Sequence, residues 1–213
     1  MKKPVTMIAT LLAIFAFNVL PALALEAPIV TLERIEVASI QPFFVKPRIG
    51  YKDEKDPGKE MTYGYSSTLN LAYIFNIKNP NKAPVMLDEI QFTAEFEGFE
   101  VNTALAYEDS WIPGGKTNQL RVITSNEAFP TIVSLSVGAG NVARMQEMKA
   151  NAGGLVKKWF ETISDFAFPI GITNGTALFK DEKGKEIRST FTATWQKKQE
   201  AAAEEKPAEK KEK

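Results

Sequence analysis

The amino-acid sequence predicts a mainly β protein, an antiparallel β-sandwich with a helical insert before its closing hairpin. Three observations carry that reading. Over residues 69–78 apolar and polar side chains alternate, placing Leu69, Leu71, Tyr73, Phe75 and Ile77 on one face of an extended chain. Further alternating stretches follow, joined by turns too short to hold a crossover helix, so neighbours in sequence should be antiparallel neighbours in space. Between residues 141 and 166 the period lengthens to that of a helix, then returns to two for the last strands.

In chain order, Met1-Lys2-Lys3 precedes an apolar run over residues 7–20, broken only by Thr10 and Asn18, and then Pro21-Ala22-Leu23-Ala24. A positive end, a short apolar segment and small residues are the order of a Sec signal, with cleavage expected after Ala24. An uncleaved anchor is the competing reading. Pro21 and a run shorter than the ~20 residues of a membrane span favour cleavage, which leaves no stable span and a periplasmic or secreted protein. Residues 25–195 then form one domain, and residues 196–213 (QKKQEAAAEEKPAEKKEK) have no large apolar side chain to bury, so a disordered charged tail is expected.

Within the domain, residues 29–40 are rich in β-branched side chains, with Ile29, Thr31, Ile35 and Val37 on one face and Glu33 interrupting it, as an edge or opening strand would be. Residues 51–61 (YKDEKDPGKEM) carry charge and Pro57-Gly58 and read as an exposed loop. Ile90, Phe92, Ala94 and Phe96 alternate into a tight Glu97-Gly98 turn, and a second strand over residues 99–107 makes a hairpin. Ile112-Pro113-Gly114-Gly115 is a turn, and residues 119–124 resume an extended run. Val142, Met145, Met148 and Ala152, then Leu155, Val156, Trp159, Phe160 and Ile163, predict one or two helices with a break at Gly153-Gly154. Strands over residues 168–179 and 187–195 close the domain through the turn Asp181-Glu182-Lys183-Gly184.

Of 26 basic and 26 acidic residues, two Lys lie in the signal and six Lys and five Glu in the tail, leaving 18 basic against 21 acidic, a net of −3. Such a domain has no global attraction to nucleic acid or anionic lipid, and no nucleic-acid partner is expected. The sequence has no Cys and no His. Disulfides, thiolate and imidazole chemistry and Cys/His zinc sites are therefore excluded, and neither a metal nor another cofactor is expected; the protein reads as not an enzyme. Glu95 and Glu97, on a strand and its turn, are expected to face solvent rather than form an acid–base pair, and Asp53, Glu54 and Asp56 lack the ligand spacing of a calcium loop. Trp111, Trp159 and Trp195 sit in apolar patterns and are expected in the core, as are Met145 and Met148. Asn174-Gly175-Thr176 fits a glycosylation acceptor but reads better as a bulge or bend.

Asn79-Pro80-Asn81 follows the strongest strand. Proline presets φ, and the asparagines can bond their own backbone and tolerate left-handed geometry, so the tripeptide turns the chain sharply. A strand running into it (LNLAYIFNIKNPN), then Leu87-Asp88-Glu89-Ile90 opening a strand, a hairpin, and Ile112-Pro113-Gly114-Gly115 before an extended run, resembles the type-2 late embryogenesis abundant domain, also called the water stress and hypersensitive response domain. The resemblance covers residues 29–125 and extends to Trp195. It implies an immunoglobulin- or fibronectin-III-like sandwich, often exported in bacteria. It also implies non-catalytic protection from desiccation or cold by shielding client proteins or envelope surfaces. Asn79, Pro80, Asn81 and residues 112–115 would be structural, with no catalytic residue to carry over. The long loop, the helical region and the tail depart from the family pattern and leave a specific envelope partner as the alternative.

Overall fold

The computed structural model describes residues 25–41 and 67–196; the expected signal, the loop at 51–61 with its acidic residues, and all but Gln196 of the tail lie outside them. Among the described residues, seven strands form two antiparallel sheets packed as a sandwich. One sheet has the order β1 (Ile29–Ile40), β2 (Thr68–Lys78), β5 (Thr117–Glu127), and the other β4 (Phe99–Ile112), β3 (Val85–Phe96), β6 (Ile170–Lys180), β7 (Glu186–Trp195). The helices α1 (Ala128–Val137), α2 (Ala139–Met148) and α3 (Ala152–Thr162), with a 3₁₀ turn at Ile163–Asp165, lie between β5 and β6. This is the expected sandwich with its insert before the closing hairpin.

Alternation places the core. All five predicted inward residues of β2 are buried, as are Ile90, Phe92, Ala94 and Phe96 of β3. Across the sandwich Phe92 meets Tyr73 at 5.0 Å and Phe75 at 5.3 Å between ring centroids, both edge to face, and Phe191 of β7 joins Phe75 at 5.4 Å. Burying each such side chain stabilises the fold by about 1.5–3 kcal/mol. β2, central in its sheet, also buries Ala72 and Ile74 on the other face.

β1 is an edge strand with the expected span, but half of its expected inward face is wrong. Ile29 and Thr31 are exposed, and Val30 and Leu32 face the core. An extra residue, Glu33, is inserted where Leu32 pairs with Phe75 and Arg34 with Ile74. That bulge reverses the parity of the strand, so Ile35 and Val37 point inward after it. A bulge also occupies Asn174-Gly175 of β6, as the sequence suggested, with Asn174 at φ 52°.

The helical region differs most. The turn after α2 is at Lys149, in the left-handed region at φ 52°, and Gly153-Gly154 lies inside the first turn of α3, whose amino end is capped by Asn151 accepting from the Gly154 N–H at 2.8 Å. α1 is not anticipated: Thr131, Ile132 and Val133 are β-branched and disfavour helix, but burial of Ala128, Thr131 and Leu135 overrides propensity, and Pro130 falls in the first turn, where its missing N–H costs nothing. α3 closes one end of the sandwich with Trp159, fully buried against Phe96 at 5.4 Å, Phe99 at 5.9 Å and Phe168 at 6.2 Å. Of the other residues expected in the core, Met145 is buried and Trp195 packs edge to face on Phe166 at 4.5 Å. Met148 and Trp111 are each 47% exposed, Met148 near the end of α2 and Trp111 on the outer face of β4.

Candidate functional site

The motif residues come together at one end of the sandwich, where the chain crosses between sheets twice. β2 passes to β3 through Asn79-Pro80-Asn81, and β4 passes to β5 through Pro113-Gly114-Gly115. The buried Asn79 amide donates to the carbonyls of Ala83 at 2.9 Å and Ile112 at 3.0 Å, and its Oδ1 accepts from the Asn81 N–H at 3.0 Å. Its backbone N–H reaches the Lys116 carbonyl at 2.9 Å. Asn81 then pairs with the backbone of Glu26, donating through Nδ2 to its carbonyl and accepting its N–H at Oδ1, both at 2.8 Å. Neither asparagine adopts a positive φ; the local bond from Asn79 Oδ1 makes the turn instead. Gly115 has φ 70°, and a Cβ on Gly114 would lie 2.0 Å from the Lys82 carbonyl oxygen, so the second turn seats directly on the first. Asn79 and Asn81 thus fasten three distant segments, and every one of their polar groups described above is used in doing so.

Glu97, expected in solvent, is the centre of a second fastening at the opposite end. It is the first residue of a two-residue turn, at φ 52° with Gly98 at φ 78°. Its carboxylate accepts from Lys158 Nζ at 2.6 Å and Trp159 Nε1 at 2.8 Å, while Arg144 donates to its backbone carbonyl at 2.8 Å. Burial alone would push this carboxyl up, but the hydrogen bonds from Lys158 and Trp159 and the charges of Lys158 and Arg144 outweigh it and hold the carboxyl below its ordinary range. The signal in the sequence was a Glu where such a turn favours Asn: an uncomfortable residue there implies a reach that a shorter side chain lacks. Glu95 does not join it; its Oε1 accepts from Thr173 Oγ1 at 2.8 Å.

The third feature is a groove of about 390 Å³ between β4 and β5, the edge strands of the two sheets on one flank. Ala104, Val122 and Thr124 are buried along it and Leu105 and Ile123 are its exposed lips. Asn102 Nδ2 donates to the Ser125 carbonyl at 3.0 Å at one end, and Asn118 Nδ2 to the Trp111 carbonyl at 3.1 Å at the other. The hydroxyl of Tyr73 is buried near Thr124, and burial pushes that phenol far up, outweighing the lowering effect of Thr124. On the outer face of β4, Leu105, Tyr107 and Trp111 are 50%, 73% and 47% exposed. Among the described residues no group of three or more Asp or Glu is placed to hold a metal ion, and no helix is long and apolar enough to cross a membrane.

The described residues define an antiparallel β-sandwich fastened at both ends, with a groove between the sheet edges on one flank. No protein-family model matches this sequence, and no curated protein does. Among solved structures, the Northeast Structural Genomics Consortium target SoR45 overlaps it with a TM-score of 0.42 at 9% identity over 84% of this chain and 92% of that one. A protein from Archaeoglobus fulgidus overlaps at 0.36 and 9% identity, over 79% and 99%. AT1g01470 from Arabidopsis thaliana overlaps at 0.46 and 10% identity, over 81% and 82%. Overlaps this low carry no argument about activity.

Proposed function

We propose that this chain is an exported, non-catalytic stress-protection protein that shields client polypeptides or envelope surfaces during water loss or cold. The class of function rests on the resemblance of residues 29–125, and export on residues 1–24. The observation that carries the reading is the row of large apolar side chains, Leu105, Tyr107 and Trp111, left in solvent along one strand. Such a row costs solubility unless something is bound there, and a client with apolar surface exposed by drying is a fitting occupant. The test is recovery of a labile enzyme's activity after drying or freeze–thaw with the mature chain (residues 25–213), a version ending at residue 195, and albumin at equal mass. Protection clearly above albumin at substoichiometric amounts, lost on replacing Tyr107 and Trp111 by Ser, supports the proposal; protection no better than albumin rejects it.

A second reading, docking to one specific envelope partner, draws on α1, where Val133 and Val137 are 44% and 76% exposed one turn apart. Capture of a single stoichiometric partner from envelope extract, abolished by Val133→Lys, would favour it over general protection.

A further inference from the structure

We propose that the outer face of the four-stranded sheet binds ice through rows of threonine side chains. This goes beyond client shielding, since it uses another patch and needs no client. On β7, Thr190, Thr192 and Thr194 alternate with Phe191 and Ala193, which pack on the core, so the three hydroxyls share the outer face. β6 adds Thr173 and Thr176, β3 Thr93 and β4 Thr103. Pairing joins them across the strands: Thr103 stands opposite Thr93, Thr93 opposite Thr173, and Thr176 opposite Thr190.

The bulge at Asn174-Gly175 makes the array possible. Thr173 and Thr176 are three residues apart, a separation that puts two side chains on opposite faces of a regular strand, and the extra residue restores their parity. Asn174 takes the left-handed φ of 52° that this needs, and a Cβ on Gly175 would lie 2.5 Å from the Phe191 carbonyl oxygen. One row then runs through Thr103, Thr93 and Thr173 to Thr192, which lies opposite the bulge. The next runs through Leu105, Gln91, Thr176 and Thr190. Neither row holds a charged side chain; Glu95, one row further on, turns its carboxylate onto Thr173 Oγ1 at 2.8 Å. The outer face of the three-stranded sheet is different, for there Arg34 and Arg121 flank Ile74 and Glu36 stands opposite Ala72.

An uncharged row of threonines suits a solid lattice of water. A charged side chain must give up its hydration shell to touch ice, whereas a hydroxyl can join the lattice as donor and acceptor, and water over the methyl group is already ordered. Branching at Cβ restricts χ1, so little rotamer entropy is lost on contact. Residues on one face repeat at about 6.8 Å along a strand and about 4.8 Å between strands, both near the oxygen repeats on the prism face of ice. An open hollow of about 550 Å³ at the bulge, lined by Thr176, Thr190 and Thr192 among others, holds water continuous with the layer over the rows. Neighbouring strands are rotated by about 20–25°, which limits the match to two or three strands. Slower recrystallisation of ice is therefore expected, without a deep depression of the freezing point.

The test grows ice slowly through a solution of the mature chain (residues 25–213), measures its partition into the ice against albumin, and follows grain size in frozen samples held just below melting. Enrichment in ice and smaller grains are expected. Both effects should fall by about ten-fold in Thr192→Lys, which sets a charge among the rows, and should persist in Ser134→Lys, which sets the same charge on the exposed side of α1. Thr192→Ser keeps a hydroxyl but loses the methyl group and the restricted χ1, and should weaken both effects. Thermal transitions show whether each fold is retained, and the Ser variant decides if the Lys variant unfolds. Partition no greater than that of albumin, undiminished activity in both Thr192 variants, or an equal loss in Ser134→Lys overturns the proposal. If a labile enzyme is protected during drying but the chain is excluded from ice, the ice-binding inference falls alone; if the chain enters ice but protects no enzyme, the shielding reading falls instead.

Discussion

At the crossover end of the sandwich the fastening is made of neutral amides, and at the helical end of a carboxylate. Asn79 is fully buried and bonds backbone groups at Asn81, Ala83 and Ile112, while Asn81 carries the network on to Glu26. Glu97 keeps 19% of its side chain in solvent, and its cationic partner Lys158 keeps 49%. The first set of bonds is blind to pH and salt, and leaving any of its carbonyls without a partner would cost their full desolvation. The second depends on ionisation and is screened by solvent. The helical end should therefore be the first to loosen on acidification and the crossover end the last.

The largest effect is expected where the amide network is cut. Asn79→Ala leaves the carbonyls of Ala83 and Ile112 unsatisfied and should cost about 3 kcal/mol in urea denaturation, at every pH where the fold is stable. Gly114→Ala sets a methyl against the Lys82 backbone and should cost about 2–3 kcal/mol by the same measurement, whereas Gly140→Ala, with open space around it, should cost nothing measurable. At the other end Glu97→Gln keeps the shape and loses the charge, for about 1 kcal/mol at neutral pH after allowing for solvent.

That last difference should depend on pH in a stated direction. Because the folded carboxyl lies below its ordinary value of 4.5, its stabilisation is complete above that value and is lost as pH falls through the lower, folded one. The gap between the thermal midpoints of the unsubstituted protein and Glu97→Gln should hold from neutral pH to about 5 and close below it. Lys158→Ala should show the smallest effect, about 0.5 kcal/mol, and should vanish first in high salt. A variant at Asn79 with marked pH dependence, or one at Glu97 with none, would break the contrast between the two ends.

Much of the architecture was legible because period two is a local signal. β2, β3 and the hairpin at Glu97-Gly98 could be read directly, and the closing hairpin also had its Asp181 turn, in which the carboxylate accepts the N–H groups of Lys183 and Lys185 at 2.8 Å. The turn at Asn79 was legible for the same reason, since the bond to Asn81 spans two residues. The bonds that make it a fastening span 33 residues to Ile112 and, from Asn81, 55 residues to Glu26, and nothing local announces them.

By itself, then, the sequence determined the sandwich, its strand order along the chain and the place of the insert, since each follows from spacing between near neighbours. Tertiary structure alone decided which face of β1 turns inward, because the bulge at Glu33 exists only against β2. It also made α1 a helix against its β-branched residues, drew Glu97 out of solvent onto Lys158 and Trp159, and left Trp111 outside. Each of these depends on a neighbour far away in the chain, and pairing across the fold can reverse a residue's facing without changing its local pattern.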